Sequence, residues 1–77
     1  MEIKQAFGIV LKKNRIKVGI SQEKLAFGCN LDRTFISLLE RGKRRPTLDT
    51  IFKLSKSLNI LPSILIAEVE SLLDVNT

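Results

Sequence analysis

The chain has 77 residues, with thirteen Lys and Arg, eight Asp and Glu and a formal net charge of +5. This length fits one domain over residues 1–77, which buries only about 60% of its unfolded surface, so oligomerisation would help to complete its core. The sequence has no His and one Cys, which excludes His catalysis, His metal sites, an intramolecular disulfide and a multi-thiolate zinc site. Without His, Tyr or a carboxylate dyad no nucleophile–base pair can form, so we expect no enzyme, no metal and no cofactor.

The charge is divided unevenly along the chain. All Lys and Arg lie in residues 1–56 together with five acids, a net charge of +8, whereas residues 57–77 carry three acids and no cation. A basic body of this kind favours a polyanion as its partner. No apolar run approaches the roughly 18 residues of a membrane span, and Met1 is not followed by the apolar segment of a secretory signal. We therefore expect a soluble cytoplasmic protein that does not bind membranes.

The spacing of apolar residues predicts helices throughout and no strand. The first helix covers about residues 4–18 and ends at Gly19, a residue type that favours the left-handed turn after a helix. Its inward side is formed by Ile3, Phe7, Val10, Leu11 and Val18. The second helix begins after Ser21, a good N-cap, and turns Leu25 and Ala26 inward.

Residues 22–41 match a helix-turn-helix pattern. A third helix is predicted over about residues 33–41, with Asp32 as its N-cap. Ala26 is small enough to let the two helices cross closely, and Asn30 can adopt the positive φ that the turn requires. The inward positions of the pair are filled by apolar residues, which are Leu25, Cys29, Leu31, Ile36 and Leu39.

Two more helices follow a basic loop. Thr47 caps a fourth helix over about residues 48–58. Its inward stripe is Leu48, Ile51, Leu54 and Leu58. Asn59 is suited to close this helix in the left-handed conformation, and Pro62 is suited to open a fifth helix over about residues 62–73.

These segments resemble the phage-repressor and Cro-like (Xre-type) helix-turn-helix domain over about residues 5–66. The segments that carry the resemblance are residues 21–26, 31–37, 39–43 and 46–48, with Leu54. Residues 30–37 look especially like the controller proteins of restriction–modification systems, which are small dimeric regulators of their own promoter and of the endonuclease gene. The resemblance implies an all-α, five-helix repressor-like fold. It also implies a homodimer that binds a partly palindromic operator in double-stranded DNA and regulates transcription.

The resemblance further implies which residues meet DNA. In this family the N-terminal part of the third helix enters the major groove, which brings Arg33, Thr34 and Ser37 to base edges. Arg33 suits the O6 and N7 acceptors of guanine, and the two hydroxyl groups suit base edges or phosphates. Five further side chains are expected at phosphates, which are Gln22, Arg15, Lys43, Arg44 and Arg45.

Other residues also acquire expected roles, most of them from the same resemblance. The family usually has an ion pair between the first helix and the end of the third, and the matching residues are Arg15 and Glu40. Glu23 lies where related activators present acidic surface to RNA polymerase, and the helix dipole is its alternative role. Ser55 stands where the family usually has Ala, and its hydroxyl can bond back to its own helix. From its inward position, Cys29 is expected to be a buried and unreactive thiol.

The fifth helix is the predicted dimer interface. It has more apolar surface than one small domain can bury, and the surplus requires a partner copy. The expected interface residues are Ile64, Leu65, Ile66, Val69, Leu72 and Leu73. The alternative is that this surplus packs under the first helix within one chain.

Two other functions fit the same residues. An antitoxin shares the fold and has a toxin as its partner, and an adjacent toxin gene instead of a methyltransferase or endonuclease gene would identify it. A helical protein-interaction module without DNA binding is the other, and the basic loop and Arg33 argue against it. We expect no small-molecule ligand, because the chain has no room for an effector domain.

Overall fold

The computed structural model describes residues 1–74 and contains five α-helices and no strand in that range. The helices are α1 (Ile3–Val18), α2 (Gln22–Cys29), α3 (Arg33–Glu40), α4 (Leu48–Ser57) and α5 (Pro62–Asp74). The predicted all-α, five-helix fold is confirmed, and the predicted helix boundaries lie within one residue of the observed ones. Residues 75–77, the end of the predicted domain, lie outside the described residues.

Polar contacts and left-handed residues fix most helix ends as predicted. Ser21 Oγ accepts a hydrogen bond from the Lys24 amide at 3.0 Å, and Thr47 Oγ1 accepts one from the Thr50 amide at 3.1 Å. Positive φ angles close α1 and α4 at Gly19 (84°) and Asn59 (56°). The predicted cap at Asp32 is wrong in one respect: its backbone has the N-cap conformation, but its exposed carboxylate makes no capping hydrogen bond.

The five helices enclose one core through a closed ring of contacts. The helix α1 packs on α3 and α5, α2 packs on α3 and α4, and α4 packs on α5. The largest side chains at the centre are almost fully buried, and these are Phe7, Leu11, Leu25, Ile36, Leu39, Leu54 and Leu65. All of them except Leu65, which was predicted in the dimer interface, lie on the inward side that the periodicity of their helix predicts.

Three residues predicted to face inward are exposed. Ile3 and Val18 lie at the two ends of α1 with exposed fractions of 70% and 46%, and Leu48 opens α4 with 68%. Ile3 and Val18 lie on the same side of α1 as its buried residues, so the predicted direction of their side chains was right. The burial was wrong because the ends of this 16-residue helix extend past the helices that cover its middle. Leu48 lies at the margin of its stripe, in the first turn of α4.

Gly8 marks the closest approach of α1 to the end of α3. A Cβ added at Gly8 would lie 2.7 Å from the carbonyl oxygen of Glu40 and closer still to that of Leu39. Only glycine therefore fits without moving the backbone, because real Cβ atoms do not approach other atoms so closely. This contact sets the position of α3 against α1.

Ser55 is fully buried on α4, and the hydrogen bond expected within its own helix is absent. Within residues 1–74, Ser55 Oγ has no hydrogen-bond partner of any kind. The bond-back prediction is therefore wrong, because no acceptor in this part of the chain meets the hydroxyl at bonding distance and angle. A buried hydroxyl without a partner retains its desolvation cost.

Candidate nucleic-acid interface

The turn between α2 and α3 has the predicted geometry. Asn30 adopts the left-handed conformation with φ 56° and ψ 42°. The Leu31 amide then donates to the Ala26 carbonyl at 2.8 Å, which closes the turn. These contacts fix the angle at which α3 leaves α2, and thus the direction of its exposed face.

The helix α3 has one fully buried side and one open side. Ile36 and Leu39 are completely buried, which anchors the helix to the core. Arg33 and Thr34 are exposed at its first turn, and Ser37 is half-buried one turn further on. The three residues predicted to meet base edges therefore share the side that points away from the core.

Arg41 belongs to the same surface and was missed in the sequence. It follows the last residue of α3, is exposed, and donates from Nε to Ser37 Oγ at 3.3 Å and to the Ser37 carbonyl at 3.4 Å. The spacing of four residues from Ser37 was the available signal, since residues four apart are neighbours on a helix.

The predicted ion pair between Arg15 and Glu40 is present. Arg15 Nε donates to Glu40 Oε2 at 2.6 Å and Arg15 Nη2 donates to Glu40 Oε1 at 3.0 Å, a two-pronged contact. The Glu40 side chain is 2% exposed, so this carboxylate depends on its partners in the protein. The hydrogen bond to Glu40 raises the pKa of Arg15 above its usual value, against the opposing effect of burial. The pair joins α1 to the end of α3.

Gln22 completes this network from α2. Its Nε2 donates to Glu40 Oε1 at 3.0 Å, and Arg15 Nη1 donates to the Ile20 carbonyl at 2.9 Å. The Glu40 carboxylate at the end of α3 thus receives hydrogen bonds from one residue of α1 and one of α2. Arg15 and Gln22 are already engaged inside the protein, and their predicted phosphate contacts remain predictions.

The basic loop after α3 is fully open. Lys43, Arg44 and Arg45 are all exposed, and within residues 1–74 none of their side chains forms a hydrogen bond or ion pair. Gly42 (φ 71°) leads into this loop, and the Lys43 amide donates to the Leu38 carbonyl at 2.9 Å. The loop therefore starts directly at the end of α3 and extends its positive charge.

The helix α5 corrects part of the predicted dimer interface. Leu65 and Val69 are 0% and 6% exposed and belong to the core of the chain itself, so assigning them to a partner contact is wrong. They are buried because α5 packs against both α1 and α4. Leu72 and Leu73 are half-buried against the same core, whereas Ile64 and Ile66 remain 47% and 42% exposed.

Other candidate chemistry is limited. Cys29 is buried, and its Sγ lies 3.2 Å from Ser57 Oγ. This position is typical of a cysteine that serves as a small core residue. In residues 1–74 no group of three or more His, Cys, Asp or Glu side chains is arranged to hold a metal ion.

No single helix in residues 1–74 is long and apolar enough to cross a membrane. Only α4 and α5 taken together reach that length and composition, and they are bent by 108°.

Comparison with known proteins agrees with this geometry. The profile of the helix-turn-helix family matches residues 11–65. Control protein C.BamHI of Bacillus amyloliquefaciens is 49% identical over 61 residues, which are 78% of this chain and 75% of that protein. Control protein C.MunI of a Mycoplasma species is 43% identical over 70 residues, 90% of this chain and 95% of that protein. The crystal structure of the restriction-modification controller protein C.AhdI from Aeromonas hydrophila has a TM-score of 0.78 and 42% identity, covering 80% of this chain and 94% of that one.

The chain therefore belongs to the helix-turn-helix family of DNA-binding transcription regulators. Within this family it is a regulator of the restriction-modification controller type, and the resemblance seen in residues 30–37 is confirmed. These relatives are regulators and not enzymes.

Proposed function

We propose that the protein acts as a homodimer on a partly palindromic operator in double-stranded DNA, where it regulates its own promoter and the genes of a restriction–modification system. The observation that carries this proposal is the open face of α3, which presents Arg33 and Thr34 while Ile36 and Leu39 anchor its other side. A recognition helix held in this way can enter the major groove with its N-terminal residues foremost.

Sequence is read at the start of α3. Arg33 donates two parallel hydrogen bonds to O6 and N7 of a guanine, and Thr34 offers a methyl group to thymine or a hydroxyl to a base edge. Ser37 lies on the same side of the helix, one turn behind. The exposed positions of Arg33 and Thr34 support this assignment, because neither side chain must leave the core to reach a base.

Affinity comes largely from the DNA backbone. Lys43, Arg44 and Arg45 contact phosphates next to the groove that α3 occupies. Gln22, at the start of α2, and Arg15, on α1, approach another phosphate. The exposure of the three loop cations supports the first contact. For the second, Gln22 Nε2 donates one N–H to Glu40 and carries a second N–H that can donate to the phosphate.

Dimerisation uses the apolar surface that remains open on α5. Ile66 borders a mostly apolar groove of about 250 Å³, whose lining also includes Ile3, Pro46 and Ile51 and the two cations Lys4 and Arg45. A partner over this groove would cover Ile3 as well, which accounts for an exposed Ile at the start of α1. Ile64 and Ile66 lie on opposite sides of the buried stripe of α5. Leu72 lies between Ile64 and this stripe, and Leu73 lies between Ile66 and the stripe. A two-fold axis here brings two copies of α3 to successive major grooves, about 34 Å apart.

The protein acts in the cytoplasm, where its DNA target lies. Glu23 is exposed at the first turn of α2 and is the acidic residue that can meet RNA polymerase if the protein activates transcription.

The test of DNA reading is selection from random duplex, followed by binding of variants to the recovered sequence. Arg33→Ala is expected to lose roughly 1–3 kcal/mol on that sequence and to relax the preference at one base pair per half-site. Lys12→Ala, which removes an exposed cation of α1, is the matched control and leaves the preference intact. An equal loss by Arg33→Ala on selected and unrelated DNA would assign Arg33 to a phosphate and refute the reading role.

The test of the dimer is sedimentation of Ile66→Asp. We expect a folded monomer that binds the selected DNA much more weakly, because a charge in the interface is desolvated without a partner. Ile16→Asp is the control, since Ile16 is 58% exposed on α1 and lies outside the proposed interface. Val69→Asp is unsuitable because Val69 belongs to the core. A wild-type protein that sediments as a monomer at tens of micromolar, a concentration far above typical operator affinities, contradicts the proposed dimer.

A further inference from the structure

Arg41 extends the open face of α3 by one more position. Its ψ of 1° is no longer helical, but the Arg41 amide still donates to the Ser37 carbonyl at 3.1 Å as in a helix, so the arrangement of side chains around α3 continues through it. At 3.6 residues per turn, Arg41 falls between Thr34 and Ser37 around the helix axis. This direction is opposite to the buried Ile36 and Leu39. Arg41 therefore points the same way as the proposed reading residues.

Ser37 holds the guanidinium group of Arg41 in the protein without DNA. The Arg41 Nε–H is shared between Ser37 Oγ at 3.3 Å and the Ser37 carbonyl at 3.4 Å. Four further N–H groups sit on the two terminal nitrogens of Arg41, and within residues 1–74 none of them donates a hydrogen bond. These groups form a planar fork that matches two oxygens of one phosphate.

The position of Arg41 along α3 favours a phosphate over a base. Arg33 and Arg41 are eight residues apart, which is about 12 Å along the axis. This is roughly three to four base-pair steps of 3.4 Å, so the two side chains reach different parts of the duplex. The N-terminal end of a recognition helix meets the bases, and its other end leaves the groove beside the backbone. The open basic loop begins two residues after Arg41.

We propose that Arg41 contacts a DNA phosphate and that Ser37 is the positioning residue for Arg41 and does not read a base. This inference rests on the proposed DNA-binding role of α3. The two acceptors of Ser37 restrict the Arg41 side chain before binding, so less conformational freedom is lost when the complex forms. Discrimination between base pairs then falls to Arg33 and Thr34.

A double-mutant cycle with Ser37→Ala and Arg41→Ala tests the inference. Binding is measured by fluorescence anisotropy, over a range of salt, on the duplex recovered by selection and on a mixed-sequence duplex. Arg41→Ala is expected to weaken both complexes about ten-fold and to lower the salt slope by about 1 per monomer. Ser37→Ala weakens both about three-fold when Arg41 is present and has no effect when Arg41 is already Ala. Ser37→Thr, which keeps the hydroxyl, binds like the wild type.

A measurement without DNA tests the positioning contact directly. The NMR signal of the Arg41 Nε–H exchanges with water faster in Ser37→Ala and at the wild-type rate in Ser37→Thr. An unchanged rate in Ser37→Ala would overturn the positioning role. Thermal unfolding of each variant confirms that the fold is kept, since both side chains lie at the surface of α3.

Three binding results would contradict the inference. If Ser37→Ala weakens only the selected duplex, or still weakens binding after Arg41 has been removed, Ser37 reads a base. If Arg41→Ala leaves both affinities unchanged, Arg41 does not contact phosphate. A wild-type protein that binds neither duplex would refute the proposed function as well, whereas the first two results refute this inference alone.

Discussion

Removal of Arg15 is the most direct test of how the recognition helix is held. In Arg15→Leu the Glu40 carboxylate loses two hydrogen bonds and its counter-charge, and retains only the bond from Gln22. Because the Glu40 side chain is 2% exposed, water cannot replace these contacts without opening the junction of α1 and α3. Breaking one side of a buried pair typically costs about 3–5 kcal/mol.

This cost is large for so small a protein. A chain of 77 residues has a free energy of unfolding of roughly 4–12 kcal/mol. A loss of about 3 kcal/mol lowers the melting temperature of a domain of this size by roughly 12–24 °C. When urea unfolding is monitored by circular dichroism, the urea concentration at the midpoint is expected to fall sharply in Arg15→Leu. The double variant Arg15→Leu/Glu40→Gln should recover most of the loss, because an amide replaces the unpaired charge.

The chain provides a matched control on the same helix. Lys13 lies 3.5 Å from Glu68, but its side chain is 63% exposed, and pairs of this kind contribute about 0–1 kcal/mol. Lys13→Leu should therefore change the free energy of unfolding little. If Arg15→Leu costs no more than Lys13→Leu, the Arg15–Glu40 contact behaves as a surface pair and the reasoning from burial is wrong.

Two further substitutions test other contacts of the fold. Gly8→Ala should lower the free energy of unfolding by about 1–3 kcal/mol and weaken binding to the selected duplex, because its Cβ would press α1 against the carbonyls at the end of α3. A melting temperature equal to or above that of the wild type would show that the two helices separate easily. Ser55→Ala should raise the free energy of unfolding in urea by about 1 kcal/mol, because it removes a buried hydroxyl that has no hydrogen-bond partner in residues 1–74. A loss of stability would mean that the hydroxyl forms a hydrogen bond in solution.

Much of the fold could be predicted because the signals are local. Ser21 and Thr47 cap their helices through bonds to an amide three residues away, and Asn30 provides a left-handed turn through its own backbone. Periodicity identified the inward sides of the first four helices. Spacing also placed Arg33, Thr34 and Ser37 on the side of α3 opposite Ile36 and Leu39. Their assignment to DNA came from the family resemblance and stays a prediction.

Two errors in the prediction are local, the Asp32 cap and the Ser55 hydrogen bond within α4. The others concern contacts between distant segments. Periodicity gives the direction of a side chain but not whether another helix reaches it, so Ile3 and Val18 were assigned to a core that does not extend to the ends of α1. The same limit placed Leu65 and Val69 in a dimer interface, although α1 and α4 already cover them.

The sequence by itself determined the helices of this protein, the turn between α2 and α3 and the residues on the open side of α3. These features depend on backbone sterics, capping bonds and periodicity within a few residues. The Arg15–Glu40 pair was expected from the family resemblance, but only the tertiary structure decided that Gln22, 18 residues before Glu40, donates to the same carboxylate. It also decided that α5 completes the core of its own chain and leaves Ile64 and Ile66 uncovered. Burial depends on which surfaces meet after folding, and that is a property of the whole chain.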